Sequence, residues 1–131
     1  MPHLTLEYSD NLPGPVDFEA LLARLHATLA EAGSAPLAQI KSRAVPCRIF
    51  RVGAGSAESV FVHLTVALLA GRDLERRRAI AERLLAVLRE TFACVWAERP
   101  CDLTVDVREM ERETYAKAMN DRARGAASPP A

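Results

Sequence analysis

Residues 60–69 read Val-Phe-Val-His-Leu-Thr-Val-Ala-Leu-Leu, a nearly continuous apolar run that only His63 and Thr65 interrupt. The length of the run fits a strand. Because apolar residues occur on both sides of the strand instead of alternating with polar ones, we expect it to be buried on both faces. Gly71 marks the turn after this strand.

The segment downstream of this strand has helical spacing. Asp73 stands where an N-cap belongs, Pro100 marks the far end, and the periodicity predicts one long amphipathic helix over residues 73–97. Its apolar positions are Leu74, Ala81, Leu84, Leu85, Leu88, Phe92, Val95 and Trp96. Residues 102–108 then alternate as a half-buried strand does.

The first part of the chain repeats this order. Residues 3–8 alternate as a strand, and Asp17 stands at the predicted start of a helix over residues 17–32, which Gly33 ends. A second strand is predicted over residues 39–52. Pro46 lies inside it, and because proline cannot donate to a strand ladder, it indicates an edge strand or a bulge.

The two halves align at an offset of about 56 residues, which sets Asp17 against Asp73. Each half is a βαβ unit, over about residues 2–53 and 59–110, and such crossovers are right-handed. The pattern predicts a two-layer α+β fold, with a four-stranded mixed sheet and two helices on one face. We expect a single domain over residues 1–120 and a frayed polar tail over 121–131.

Two helices cover only one face of such a sheet. A central run that is apolar on both sides therefore needs another cover, and we expect the second face to meet other subunits of a homo-oligomer.

Composition excludes several classes of function. Seventeen basic residues balance seventeen acidic ones, which argues against nucleic-acid and acidic-membrane partners. No apolar run spans a bilayer, and residues 1–10 lack the pattern of a signal peptide, so we expect a cytoplasmic protein. Cys47, Cys94 and Cys101 form no zinc or disulfide pattern and are expected to be small buried hydrophobes.

The sequence begins Met1-Pro2, and the first strand starts immediately after these two residues. Removal of Met1 would leave Pro2 with a free secondary amine. In an apolar pocket beside cations, the pKa of this amine falls toward working pH, where it suits a general base. Met-Pro alone is weak evidence, because many proteins begin this way without catalytic meaning.

Four segments strengthen the case: residues 2–11 (PHLTLEYSDN), 40–43 (IKSR), 61–65 (FVHLT) and 70–75 (AGRDLE). In order and spacing they resemble 5-carboxymethyl-2-hydroxymuconate isomerase, of the tautomerase superfamily. The resemblance extends over about residues 2–110. It implies a tautomerase fold, a homotrimer, and a cofactor-free keto-enol isomerisation of an enol carboxylic acid in aromatic-compound catabolism.

Carried over residue by residue, the resemblance makes Pro2 the catalytic base and Arg72 a residue that binds or polarises substrate oxygens. A planar guanidinium can bind a carboxylate bidentately. Lys41 departs from the family pattern, which has arginine there; lysine keeps the charge but loses the fork. Lys41 still serves to steer a carboxylate, or Arg43 takes over this role, or the substrate differs.

The chain has three histidines. His3 is a candidate for lining the pocket, His63 is expected to be packed and hydrogen-bonded, and His26 is expected to be solvated on the first helix. They are too scattered to predict a metal site, and no phosphate loop is present, so we expect neither metal nor cofactor. Two alternatives stay open: a tautomerase-type enzyme with decarboxylase or dehalogenase chemistry, and a non-catalytic oligomeric binding module on the same fold.

Overall fold

The structure is a computed structural model that describes residues 1–33, 35–120 and 122. It contains four strands and three α-helices, with short 3₁₀ turns at Leu37–Gln39 and Arg112–Thr114. In chain order these are β1 (His3–Ser9), α1 (Phe18–Glu31), β2 (Lys41–Cys47), β3 (Val60–Leu69), α2 (Leu74–Thr91), α3 (Ala93–Glu98) and β4 (Cys101–Met110).

The strands form one sheet in the order β2-β1-β3-β4. β1 is parallel to β2, and β3 is parallel to β4, as expected for two βαβ units. The units join through β1 and β3, which are antiparallel and place Thr5 opposite Thr65. The predicted four-stranded mixed sheet is thereby confirmed.

One core lies between the sheet and the helices. Leu4, Leu6 and Leu64 contribute fully buried side chains from the central strands, and Leu25 and Leu84 do so from α1 and α2. The helices approach this face because their apolar residues recur at helical spacing. Burial of each such leucine stabilises the fold by roughly 1.5–3 kcal/mol.

Both long helices begin at an aspartate, as predicted. The side chain of Asp17 accepts a hydrogen bond from the backbone N–H of Ala20 at 3.0 Å, and that of Asp73 accepts one from Arg76 at 2.8 Å. Each bond satisfies a backbone donor that the helix leaves unpaired. Gly33 comes after the end of α1 with a φ of +74°, a conformation that favours glycine.

The predicted single helix over residues 73–97 was wrong. The helix breaks at Phe92, whose backbone leaves the helical region, and α3 then starts at Ala93. Phe92 is buried in the core, whereas Trp96 is 49% exposed and lies under the guanidinium of Arg89. The break therefore favours burial of Phe92, while Trp96 packs against a cation at the surface.

The second strand is shorter than predicted. Residues 37–39 form a 3₁₀ turn before it, and the chain leaves the sheet after Cys47. β2 is an edge strand, which confirms the interpretation of Pro46.

The second face of the sheet differs from the expectation for β3. Burial alternates strictly along this strand within one chain: the helix-facing residues are buried, and Phe61, His63 and Thr65 are only half-buried. The neighbouring strands add charged groups to this face, including Glu7 and Asp106. A single chain therefore buries the residues of one face and leaves those of the other half-buried, with Phe50 packed against Phe61. The frayed tail expected at 121–131 falls outside the described residues, except for Arg122.

Candidate active site

The candidate site lies at one end of the strands, where those of the first unit start and those of the second unit finish. Because β1 and β3 are antiparallel, the amino ends of β1 and β2 meet the carboxyl ends of β3 and β4 there. His3 pairs with Lys41 on one side and with Ala67 on the other. Residues from both halves of the chain are thus brought to one place.

Pro2 is buried at the start of β1, and its carbonyl accepts a hydrogen bond from the backbone N–H of Lys41 at 3.1 Å. The amine of Met1 precedes it. Burial lowers the pKa of this amine below its ordinary value of 8.0, and the charges of Lys117, Arg72, Lys41 and Arg112 lower it further. The chain therefore starts in a partly desolvated place surrounded by cations.

Arg72 is fixed next to the carboxyl end of β3. Its guanidinium donates to the carbonyl of Leu69 at 3.1 Å, and its own carbonyl accepts from Arg77 at 3.2 Å. Burial, and then the charges of Arg76 and Arg112, lower the pKa of Arg72. An arginine held half-buried among other cations is well placed to bind an anion.

Lys41 is exposed at the start of β2, and its ammonium donates to the carbonyl of Gln39 at 3.3 Å. The structure thus brings together three of the four predicted residues, Pro2, Lys41 and Arg72.

Arg43 lies one step further along β2 and contacts the site through His3. Its two terminal nitrogens are 3.4 and 3.1 Å from Nδ1 of His3. Burial, together with the charges of Arg43, Lys41 and the chain terminus, lowers the pKa of His3. A neutral His3 that accepts from Arg43 at Nδ1 carries its proton on Nε2 and can donate it.

Two further cations were missed in the sequence. Arg112 comes after β4, and its Nε donates to the carbonyl of Ala70. Lys117 lies in the segment after that, with its Nζ 2.6 Å from Sδ of Met1. A signal for Arg112 did exist: the carboxyl ends of parallel strands share one edge, so residues just beyond β4 lie near those just beyond β3.

A cavity of about 370 Å³ opens beside His3, Lys41 and Lys117, whereas Pro2 and Arg72 are not among the residues that line it. Its lining comes from three parts of the chain that are far apart in sequence. They are His3 on β1, Ala38, Gln39 and Lys41 around the start of β2, and Tyr115, Ala116, Lys117, Ala118 and Met119 after β4. His3, a candidate for lining the substrate pocket, is thus among the residues that line this cavity.

The expectations for the other two histidines and for the cysteines were met only in part. His63 forms the expected hydrogen bond, with Nδ1 2.6 Å from Oγ1 of Thr104. His26 was wrongly expected to be solvated: its Nε2 lies 2.6 Å from Oγ of Ser42, and burial lowers its pKa. The cysteines were wrongly expected to be buried: Cys94 is exposed on α3, and Cys47 and Cys101 are only half-buried.

Two features are absent from the part of the chain that the structure describes. There, no three His, Cys, Asp or Glu side chains are grouped as metal ligands would be. Nor is any described helix long and apolar enough to cross a membrane.

Comparison with known proteins identifies the family. The model of the family described as 5-carboxymethyl-2-hydroxymuconate isomerase matches residues 2–124. The chain belongs to this family. Its members are isomerases, and the chain is a tautomerase-type enzyme.

Individual relatives agree with this assignment. The 5-carboxymethyl-2-hydroxymuconate Delta-isomerase of Escherichia coli is 32% identical over 120 residues, which are 92% of this chain and 95% of that protein. The crystal structure of a 5-carboxymethyl-2-hydroxymuconate isomerase from Deinococcus radiodurans R1 superposes with a TM-score of 0.83 at 34% identity, covering 91% of this chain and 90% of the other.

The fold extends to more distant proteins. A fused 4-OT protein described as a symmetric trimer shares it with a TM-score of 0.71 at 20% identity, covering 88% of this chain and 91% of that one. The predicted tautomerase-like architecture is therefore confirmed.

Proposed function

We propose that this isomerase converts 5-carboxymethyl-2-hydroxymuconate from its enol to its keto form, with the amine of Pro2 as the base after Met1 is removed. The observation that carries the proposal is the position of the chain terminus, which is partly buried and surrounded by Lys41, Arg72, Arg112 and Lys117. Removal of one residue moves the amine to Pro2 within the same surroundings.

The reaction needs a base that works at both ends of a conjugated system. The neutral amine accepts the proton of the 2-hydroxyl group, the double bonds shift, and the resulting ammonium returns the proton to carbon. One O–H bond is broken and one C–H bond is formed, with no net change of charge or oxidation state. Such a step requires a base of suitable pKa and cations for the developing charge, and no redox cofactor.

The cations also bind the substrate, whose name implies three carboxylates. Arg72 offers a guanidinium fork, and Lys41 offers a point charge at the cavity. Arg43 acts indirectly. It contacts Nδ1 of His3, which leaves the Nε2–H of His3 available to donate to an oxygen of the substrate. The cations at this site favour a small anionic molecule as the partner. The zero net charge of the chain disfavours binding to nucleic acid and membranes.

The protein is proposed to be a homotrimer in the cytoplasm. On the face of the sheet opposite the helices, Phe61 and Leu69 are only half-buried in a single chain, although the ring of Phe50 packs against Phe61. The fused 4-OT protein of the same fold is described as a symmetric trimer. The exposed free thiol of Cys94 fits a reducing compartment.

Replacement of Pro2 by alanine tests the base. The Pro2→Ala variant keeps an amine, but a primary one without the ring that fixes it, so turnover of the enol should fall by about 100-fold. The rate is measured by ultraviolet absorbance, and mass spectrometry of the intact protein establishes that both mature chains have lost Met1. Unchanged turnover, or native protein that is active with Met1 in place, would refute the mechanism.

Light scattering coupled to size exclusion tests the assembly. A mass near three times 14.3 kDa is expected. A stable monomer that turns over the enol at full rate would contradict the trimer without affecting the chemistry.

A further inference from the structure

The segment after β4 returns to the start of the chain. After the 3₁₀ turn at Arg112–Thr114, residues 115–119 form part of the wall of the cavity, which His3 and Lys41 also line. Lys117 is the cation of this wall, and its Nζ lies 2.6 Å from Sδ of Met1. Lys117 therefore points at the residue whose removal exposes the base.

The cations around the terminus fall into two groups on opposite sides of β1. Arg72 and Arg112 lie on the β3 side, where the carbonyls of Leu69 and Ala70 hold their guanidinium groups. Lys41 lies on the β2 side, because β2 and β3 flank β1 in the sheet, and Lys117 lines the cavity together with it. The two groups also differ in chemistry, since one consists of arginines and the other of the only two lysines in the chain.

This division matches the shape of the proposed substrate. The base moves a proton from the 2-oxygen to a carbon further along the diene, so it must lie over the middle of the molecule, and the two ends extend to either side. Fixed guanidinium forks suit the end where a carboxylate and the 2-oxygen are adjacent. A flexible ammonium suits the other end, which carries two carboxylates in varying positions.

We propose that Lys117 is a specificity-determining residue, which binds a carboxylate at the end of the substrate remote from the 2-hydroxyl group. The volume that the Met1 side chain fills next to Lys117 becomes available to this carboxylate when Met1 is removed. The role of Lys117 rests on the proposed isomerase function. It adds a recognition role for a segment that lies outside both βαβ units.

The experiment compares two substrates that share the enol end. 5-Carboxymethyl-2-hydroxymuconate has carboxylates at both ends, and 2-hydroxypenta-2,4-dienoate has only the one beside the enol. In Lys117→Gln, KM for the tricarboxylate should rise about tenfold, because a charged hydrogen bond to bound substrate is lost. Loss of this positive charge also raises the pKa of the terminal amine, so both proteins are assayed at a pH above that pKa, where kcat should change little. KM for the monocarboxylate should stay within about twofold of the unmodified enzyme, since it has no carboxylate for Lys117 to bind.

Two further variants separate recognition from general effects. Lys117→Arg should restore most of the affinity for the tricarboxylate. Arg83→Gln removes one positive charge from the exposed side of α2, where Arg83 pairs with Glu31 at 3.5 Å, and should change neither KM. An equal rise of KM for both substrates in Lys117→Gln, or no rise at all, overturns the proposal.

Binding of an unreactive anion makes the outcome independent of turnover. Calorimetric titration with tricarballylate should show affinity in the mature enzyme that Lys117→Gln weakens about tenfold and Arg83→Gln leaves intact. If the mature enzyme turns over neither enol, the proposed function fails. If it turns over the tricarboxylate, but Lys117→Gln neither changes the selectivity nor weakens tricarballylate binding, only the role of Lys117 fails.

Discussion

The two βαβ units are built alike but supply the site from opposite ends. Both begin their helix at an aspartate cap and pair their strands in parallel. The first unit contributes the amino ends of its strands, with Pro2 and Lys41, whereas the second contributes the residues just beyond its carboxyl ends, with Arg72 and Arg112. The antiparallel contact of β1 with β3 causes this difference, because it reverses one unit relative to the other.

The comparison shows how a repeated fold can produce a site without a repeated motif. A backbone amine is available only at a chain terminus, so the proposed base has no counterpart in the second unit. The reversed second unit then brings the residues of its turns close to this terminus. Binding residues often lie on turns and loops, because substitutions there disturb the fold less than substitutions in the core. The charge of the whole chain is zero, yet four cations surround the terminus.

Replacement of Arg72, a cation that the second unit contributes, should have the largest effect on kcat/KM. Arg72→Ala is expected to lower kcat/KM for the enol by about 100-fold, because a charged donor fixed near the reacting oxygens is removed. Arg78→Ala, on the exposed surface of α2, is the control and should change kcat/KM by less than about twofold. Steady-state kinetics of both variants measure this, and equal losses would contradict a specific role for Arg72.

Loss of the first unit's cation should act on pH dependence as well as on binding. Lys41 lowers the pKa of the terminal amine, so Lys41→Gln should raise it. The base works when neutral, so activity rises as pH passes upward through this pKa, and the acid limb of the profile should move to higher pH. At neutral pH we expect a loss of about tenfold in kcat/KM, since a charged contact with substrate is also removed.

Lys41→Arg is the matched variant, because it keeps the charge and adds the fork. Its acid limb should coincide with that of the unmodified enzyme when kcat/KM is measured across pH. An acid limb that stays in place in Lys41→Gln would show that Lys41 does not act on the amine.

Replacement of the two aspartate caps should have the smallest effect on kcat/KM, and the two replacements should differ in whether they affect activity. Asp17→Ala and Asp73→Ala should each lower the free energy of unfolding by about 1 kcal/mol, because each removes one cap bond. Asp73 is the residue next to Arg72, so only Asp73→Ala should also lower kcat/KM, by about fivefold. Denaturant unfolding and kinetics on the same samples measure both, and equal activity losses would contradict the difference between the units.

Much of the fold could be predicted because it depends on local patterns. Alternation identified β1 and β4, and helical spacing with the aspartate caps identified α1 and the start of α2. The break at Phe92 could not be predicted, because an apolar residue at helical spacing looks the same whether the helix continues or turns. The difference between Phe92 in the core and Trp96 at the surface depends on the shape of the packed sheet.

The candidate site was predicted in part: the position of Arg112 could have been inferred from the shared end of the parallel strands, whereas that of Lys117 could not. Pro2, Lys41 and Arg72 lie within segments that resemble the family, so their positions carried a signal. Lys117 lies beyond the segments that carried the resemblance, and its proximity to Met1 bridges 116 positions of the chain. Sequence spacing does not predict a contact between residues so far apart in the chain.

The sequence by itself determined the two βαβ units, the caps that start their helices, and the proline that lies between the amino terminus and the first strand. Each of these depends on residues that are close together in the chain, where periodicity and capping chemistry act directly. Only the tertiary structure decided that the carboxyl ends of the second unit, and the segment after β4, surround that terminus with cations. The physical reason is the antiparallel pairing of β1 with β3, a long-range contact that no local pattern encodes.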